Sequence, residues 1–317
     1  MYLPLELMVR TLSNWIRWPL WVSILGAGLT LTISLPTQAF TVFACEPEWA
    51  ALSRVLVPEA KVHVATHAAQ DPHHIEARPA LIAKMRQADL VVCTGAGLES
   101  GWLPVLQQRA GNPKAQSVFW ASDHVVMIDP QPAAIGTPWA GDVHAEGNPH
   151  VHLDPRNVLL VAQALRDRLQ QEWPDQKSAI AVRHRSFEEQ WQQRIAQWTR
   201  LAAPLRGQPI AVQHASFGYL WDWLGMKLVA DLEPKPGMSP TPGHLQRLLD
   251  GLRHNPPRAV IVANYQDPRA GRWLSNQLGK QVPLLVLPAT VSDPADGTAL
   301  ADWMEGLIRS LLPLVKP

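Results

Sequence analysis

Cysteine is nearly absent, with two in a chain of 317 residues. Two thiols cannot build a Cys-only zinc site or a multi-disulfide scaffold. An excess of either charge is missing as well: 28 basic residues face 27 acidic ones, for a net +1. That balance argues against a nucleic-acid binder working through a broad basic surface. Beyond residue 40 no stretch is long and apolar enough to cross a bilayer. Three nucleotide and hydrolase signatures are absent: the G-x-x-x-x-G-K-[ST] phosphate loop, H-E-x-x-H and G-x-S-x-G. Gly95-Ala96-Gly97 with Gly101 imitates a dinucleotide loop, but the third glycine falls one residue late, and a tight strand-to-helix turn accounts for it. There is no internal repeat and no low-complexity tract. Hydrophobic residues make up 47% and charged residues 17%, so a substantial core is available. Twelve histidines are present, and their placement is the informative feature.

The first 39 residues read as an export signal. Arg10 and Arg17 precede an apolar stretch from Leu20 to Leu35, and Thr37-Gln38-Ala39 supplies a small-x-small cleavage site. The alternative is a retained membrane anchor. Val42 to Cys45 resembles a lipoprotein cleavage box only loosely, since Phe43 fits poorly and Cys45 ends a strand-like run.

The mature chain alternates strands and helices. Strands are predicted at 40–45, 61–66 and 89–93, with helices at 48–56 and 78–88. After Gly207 the pattern restarts, with strands near 209–213, 227–231, 258–263 and 282–287 and helices near 216–224, 243–254, 268–279 and 298–312. Such alternation implies βαβ units and parallel sheets. Between the halves, residues 174–203 carry no interior proline or glycine, and Phe187, Trp191, Ile195 and Trp198 form one apolar stripe at spacings of four, four and three. A helix there would run about 45 Å. The expected architecture is therefore two α/β lobes with parallel sheets, 40–173 and 205–317, joined by one long rigid helix at 174–204, with a ligand site in the cleft between them.

Three histidines fall at strand or loop ends. Asp71-Pro72-His73-His74-Ile75-Glu76 follows the second strand, Asn148-Pro149-His150-Val151-His152-Leu153-Asp154-Pro155 precedes a helix, and Gln213-His214-Ala215-Ser216-Phe217-Gly218-Tyr219 follows a strand of the second half. Proline fixes the local backbone and so helps aim an imidazole. Three imidazoles on one centre suit zinc, with a carboxylate or water completing a tetrahedron. His63 and His67 need no more than surface positions. Cys45 and Cys93 each end a strand, and neighbouring strands would bring them within disulfide range, against the alternative of two buried thiols.

In these motifs the chain resembles the cluster A-I solute-binding proteins, the periplasmic zinc- and manganese-binding components of ABC transporters. Their DPHxYEP, DPHVWLDP and SHDAFGYF motifs are matched by DPHHIEA, NPHVHLDP and QHASFGYL. The resemblance implies metal ligands at His73, His150 and His214, and a histidine at the third position implies zinc more than manganese. It also implies a monomeric, non-enzymatic periplasmic protein that passes its ion to a membrane permease with an ATPase. The family's usual fourth ligand, an aspartate, is replaced by Leu287-Pro288-Ala289-Thr290, leaving Asp293, Glu76 or water. The long His/Asp/Glu-rich loop of many zinc importers shrinks to Asp142, His144 and Glu146. His144 and His152 are read as auxiliary capture residues or solvent-exposed loop histidines, and His74 as an alternative to His73. The competing functions are a zinc hydrolase with Glu76 as general base and a metal chaperone acting without a permease. Neutral imidazole donors imply binding that weakens below about pH 6.5.

Overall fold

The computed structural model describes residues 39–129, 144–235, 237–295 and 297–315. The expected export signal therefore lies, apart from Ala39, outside the described residues, as does Asp142. Two four-stranded, all-parallel sheets organise the chain. The first contains β1 (Thr41–Ala44), β2 (Lys61–Val64), β3 (Leu90–Cys93) and β4 (Val118–Trp120), in the order β2-β1-β3-β4. The second contains β5 (Pro209–Val212), β6 (Lys227–Asp231), β7 (Val260–Ala263) and β8 (Leu284–Leu287), in the order β6-β5-β7-β8. Every expected strand is present, β6 at its expected bounds and the others shortened by one or two residues at an end. The pattern reading missed β4, whose three residues are too few to show a period.

Parallel strands need crossovers, and helices supply them. In the first half these are α1 (Pro47–Leu56), α2 (Pro79–Arg86) and α3 (Leu103–Ala110), each with a proline in its first turn. Proline is pre-set for that position and has no N–H to leave unpaired. In the second half α6 (Gly218–Leu224), α7 (Pro242–Leu252) and α8 (Arg269–Leu278) play the same part.

Central strands buried on both faces read as continuous apolar runs, and here alternate residues serve two different cores. Val42, Ala44, Leu90 and Val92 point into one large core that also takes in Ile210, Val212 and Ile261 of the second sheet. Their neighbours Phe43, Val91 and Cys93 pack outward with Leu81, Met85 and Leu106 of α2 and α3. On the second sheet Ala211 and Val260 pack outward with Leu245, Leu249 and Leu274 of α7 and α8. The two halves thus share an inner core and keep separate outer ones.

With α1 and α6, three further helices cover that shared core: α4 (Pro155–Glu172), α5 (Lys177–Ala202) and α9 (Ala299–Leu311). The long helix has 26 residues with a short 3-10 turn at each end, spanning about 39 Å. Its aromatic stripe faces inward as expected. Trp191 and Trp198 are buried, with ring centroids 5.3 Å apart in an edge-to-face arrangement. Trp191 Nε1 donates to the carbonyl of Pro155 at 2.8 Å, fixing α5 to the start of α4. Among the described residues no helix is long and apolar enough to cross a membrane.

Cys45, just past β1, and Cys93, which ends the adjacent β3, form a disulfide with Cα atoms 4.8 Å apart. This settles the question between bridge and free thiols, and Cys45 has no free sulfur for a lipid. The bridge closes a loop 48 residues apart in sequence, which the chain-entropy estimate values at about 4 kcal/mol. Replacing both cysteines with alanine is expected to lower the melting temperature by roughly 10 °C. Thermal melts of the double variant and wild type, without reductant, check this.

Candidate metal site

His73 and His150 are presented by the same local device. In each, the side chain two residues earlier accepts a hydrogen bond from the histidine N–H: Asp71 Oδ1 from His73 N, and Asn148 Oδ1 from His150 N, both at 3.0 Å. This is the Asx turn that Asp and Asn favour, and the intervening proline stiffens it. Trp102 Nε1 donates to the Pro72 carbonyl at 2.9 Å and pins the first turn to α3. Asn148 Nδ2 donates to the Ala215 carbonyl at 2.8 Å, tying the second turn to the loop that carries His214. Gly218 permits that tie, because a Cβ there would sit 2.8 Å from Asn148 Nδ2.

His214 follows β5, where loops at the carboxyl ends of parallel strands face the ligand crevice. The three expected ligands are brought together and buried. Ring centroids are 5.8 Å apart for His73 and His150, and 6.4 Å for each of them with His214. The rings meet at interplanar angles of 73–86°. Three imidazoles bound through nitrogen to one tetrahedral zinc would have centroids about 5 Å apart. The rings stand wider than that by roughly 1 Å, so each needs only a small inward shift to share an ion.

Two carboxylates hold two rings from behind. Asp71 Oδ1 lies 2.8 Å from His73 Nδ1 and Glu233 Oε2 lies 2.7 Å from His214 Nδ1. A carboxylate on Nδ1 fixes the proton there and leaves the lone pair of Nε2 directed away. Burial pushes the Asp71 carboxyl up, but the side-chain and backbone hydrogen bonds of His73 outweigh it and hold it below the usual range. Glu233 is itself positioned by an Asx turn, donating its N–H to Asp231 Oδ1 at 2.9 Å. Burial raises the Asp231 carboxyl to about 6. Glu233 went unnoticed in the sequence because it lies 19 residues from its partner; a D-x-E run closing a strand is the one local signal.

His150 has no such carboxylate. Burial, and then the neighbouring His73, His152, His214 and His144, drive its pKa well below the ordinary value, so it is neutral. Its Nε2 is buried without a hydrogen-bond partner. Beside His73 and His214 opens a cleft of about 610 Å³, lined also by Asp71, Glu233, Tyr265 and Trp273.

The remaining candidates separate cleanly. His74 is exposed at the rim of this cleft, with His73 inside. Glu76 is exposed and paired with Arg78 at 2.9 Å. Asp293 is exposed, caps its own turn through the N–H of Ala295 at 3.0 Å and acts electrostatically on Arg54. His152 is neither exposed nor free to capture an ion. It is buried, its Nε2 lies 3.0 Å from the Ala289 carbonyl, and its ring stacks on Trp303. Its Nδ1 lies 3.0 Å from Glu48 Oε1, off the direction of a good hydrogen bond. His144 does join the group: its Nε2 is 3.2 Å from His73 Nε2.

Residues 42–312 match the family described as "ZnuA: Zinc-uptake complex component A periplasmic". The chain belongs to the ZnuA family. That family's description is of a periplasmic component of a zinc-uptake complex. It is 25% identical over 229 residues to the zinc-binding lipoprotein AdcA of Streptococcus pneumoniae R6, covering 70% of this chain but 44% of that protein. The chain therefore spans less than half of AdcA. It is 25% identical over 223 residues to the high-affinity zinc uptake system protein ZnuA of Yersinia pestis, covering 66% and 69% of the two chains. The manganese-binding lipoprotein PsaA of Streptococcus pneumoniae matches at 24% over 243 residues, 75% of each. A crystal structure of ZnuA superposes with a TM-score of 0.72 at 18% identity, covering 88% of this chain and 100% of that one. That likeness gives the fold.

A second buried group lies near the ends of β1 and β3. Glu46 and Glu99 are both buried; Glu99 accepts from Thr94 N at 2.7 Å, and Glu46 from Thr94 Oγ1 at 3.0 Å. Burial raises both, Glu99 to about 7, with the neighbouring Glu99 and Glu48 charges adding to the shift at Glu46. Raised carboxyls favour folding fully below their ordinary value near 4.5. That contribution is lost as pH rises through about 7. Glu99→Gln keeps one acceptor oxygen for Thr94 and removes a titrating proton. In metal-free protein it should flatten the fall in melting temperature between pH 5 and 8, and thermal melts across that range check it.

Proposed function

We propose that this protein captures a zinc ion outside the cytoplasm and delivers it to an ABC permease with its ATPase for import. The observation that carries the reading is the convergence of His73, His150 and His214 from three separate loops, with Nδ1 of two rings held by carboxylates. Such outer partners orient a ligand ring and raise its basicity. Zinc is preferred to manganese on donor chemistry, since imidazole nitrogen suits zinc while manganese favours oxygen donors. In this reading residues 1–39 are removed on export to the periplasm, and residues 40–173 and 205–317 act as two lobes on the 174–204 helix. The mature protein works as a monomer.

The ion is cargo, so the site must both hold it and let it go. The shared core and the long helix oppose a wide hinge motion, and the small inward shift the rings need is within the reach of their loops. Small-angle scattering of apo and zinc-loaded protein should show radii of gyration equal to within about 1 Å. A large contraction on loading would refute capture by loop movement.

Native mass spectrometry of stripped protein reloaded with zinc should give one ion per chain. His73→Ala, His150→Ala and His214→Ala should each abolish stoichiometric loading. Glu233→Gln keeps the shape but not the charge behind His214, and a loss of about 10–100-fold in affinity is expected. Chelator competition measures it. Unchanged affinity in the three histidine variants would refute the reading.

A further inference from the structure

We infer that His144 supplies a fourth imidazole, so that the cargo is held by four histidines and no carboxylate. This rests on His73, His150 and His214 being ligands, as proposed above. The leading observation is a distance. His144 Nε2 lies 3.2 Å from His73 Nε2, and nitrogens of two ligands on one tetrahedral zinc stand about 3.3 Å apart at bonds of 2.0–2.1 Å. The Asp71 carboxylate accepts the Nδ1 proton of His73, which turns the Nε2 lone pair of that ring toward His144. Two imidazole nitrogens this close need a proton or a cation between them, and the second buried lone pair nearby, on His150 Nε2, has no hydrogen-bond partner among the described residues.

The chain around His144 is built to hold it there. Gly147 N donates to the His144 carbonyl at 3.2 Å, and Asn148 N donates to the Ile128 carbonyl at 2.9 Å. The turn that sets His144 is therefore continuous with the one that sets His150. Gly147 has φ +125°, and a Cβ there would lie 2.7 Å from the Ile128 carbonyl, so the turn requires glycine. On its far side His144 abuts Gly97, where a Cβ would approach its Nδ1 to 3.4 Å.

The carboxylates that would otherwise complete the shell are engaged elsewhere. Glu76 pairs with Arg78 and Asp293 caps its own turn. Asp71 and Glu233 sit behind the rings on Nδ1. An all-imidazole tetrahedron is a poor host for manganese, which takes oxygen donors in octahedral geometry. His144 then acts on selectivity as well as on affinity.

X-ray absorption of the full mature protein loaded with zinc chloride should fit four imidazoles. His144→Ala should fit three plus one light oxygen donor, weaken zinc at least tenfold in chelator competition, and narrow its preference over manganese chloride. Metal-free melts of His144→Ala and His144→Asn should match wild type, so a misfolded variant would be recognised. If wild type fits three imidazoles and an oxygen, or if His144→Ala weakens binding without changing the imidazole count, the four-histidine assignment is overturned. In that case, loss of loading in the His73, His150 and His214 variants would leave the capture reading standing. If those variants also load normally, both fall.

Discussion

A neutral imidazole can be buried with a nitrogen lone pair held ready for an ion only if something else fixes the ring, and the site depends on that constraint. Left to itself, a histidine in a loop turns both nitrogens toward water. Here Asp71 and Glu233 bind Nδ1 of His73 and His214 from behind. For His150 burial does the same work by excluding the charged form. The two Asx turns at Asp71 and Asn148 set the backbone so that the rings start from the right place. Removing water from the rings is costly, and the carboxylate bonds and loop ties offset that cost before any ion arrives.

The scaffold supplies the second condition, that loops from both halves keep their spacing. A lobe-and-hinge protein with two independent cores would let the histidines separate by several ångströms. Alternation along β1, β3, β5 and β7 instead sends every second residue into one core common to both sheets. The α5 helix lies over that core with Trp191 and Trp198 inserted, and Trp191 is bonded to the first residue of α4. Separating the halves would expose this apolar surface at about 25 cal/mol per Å². Small loop shifts disturb none of it. A site that must release its cargo gains from this division, because the parts that move are not the parts that hold the fold.

Much of this was legible in the sequence. Strand–helix alternation is a strong signal, and the stripe at Phe187, Trp191, Ile195 and Trp198 faces the core as its spacing implies. The X-Pro-His pairs marked two of the converging rings, because a turn that orients a side chain is encoded within three residues. What stayed hidden depends on contacts between distant segments. Glu233 has no neighbour in sequence that points to His214. β4 is too short for a period, and chain position says nothing about the Arg54 and Ala295 that Asp293 faces. The disulfide needed the knowledge that β1 and β3 are adjacent, which order along the chain does not give.

His144 and His152 show how little residue type decides by itself. Each lies close in sequence to His150, in polar surroundings that suggest the same role for both. His152 is held at Nε2 by the Ala289 carbonyl beyond β8, its Nδ1 lies beside Glu48 of α1, and Trp303 covers its ring. It serves as a strut between the two halves, beside the contact of Thr290 with Glu48. His144 presents its Nε2 to His73 Nε2, inside the cluster. Whether a histidine is a strut or a ligand is therefore decided by which of its nitrogens the rest of the fold has already engaged, and that accounting requires three dimensions.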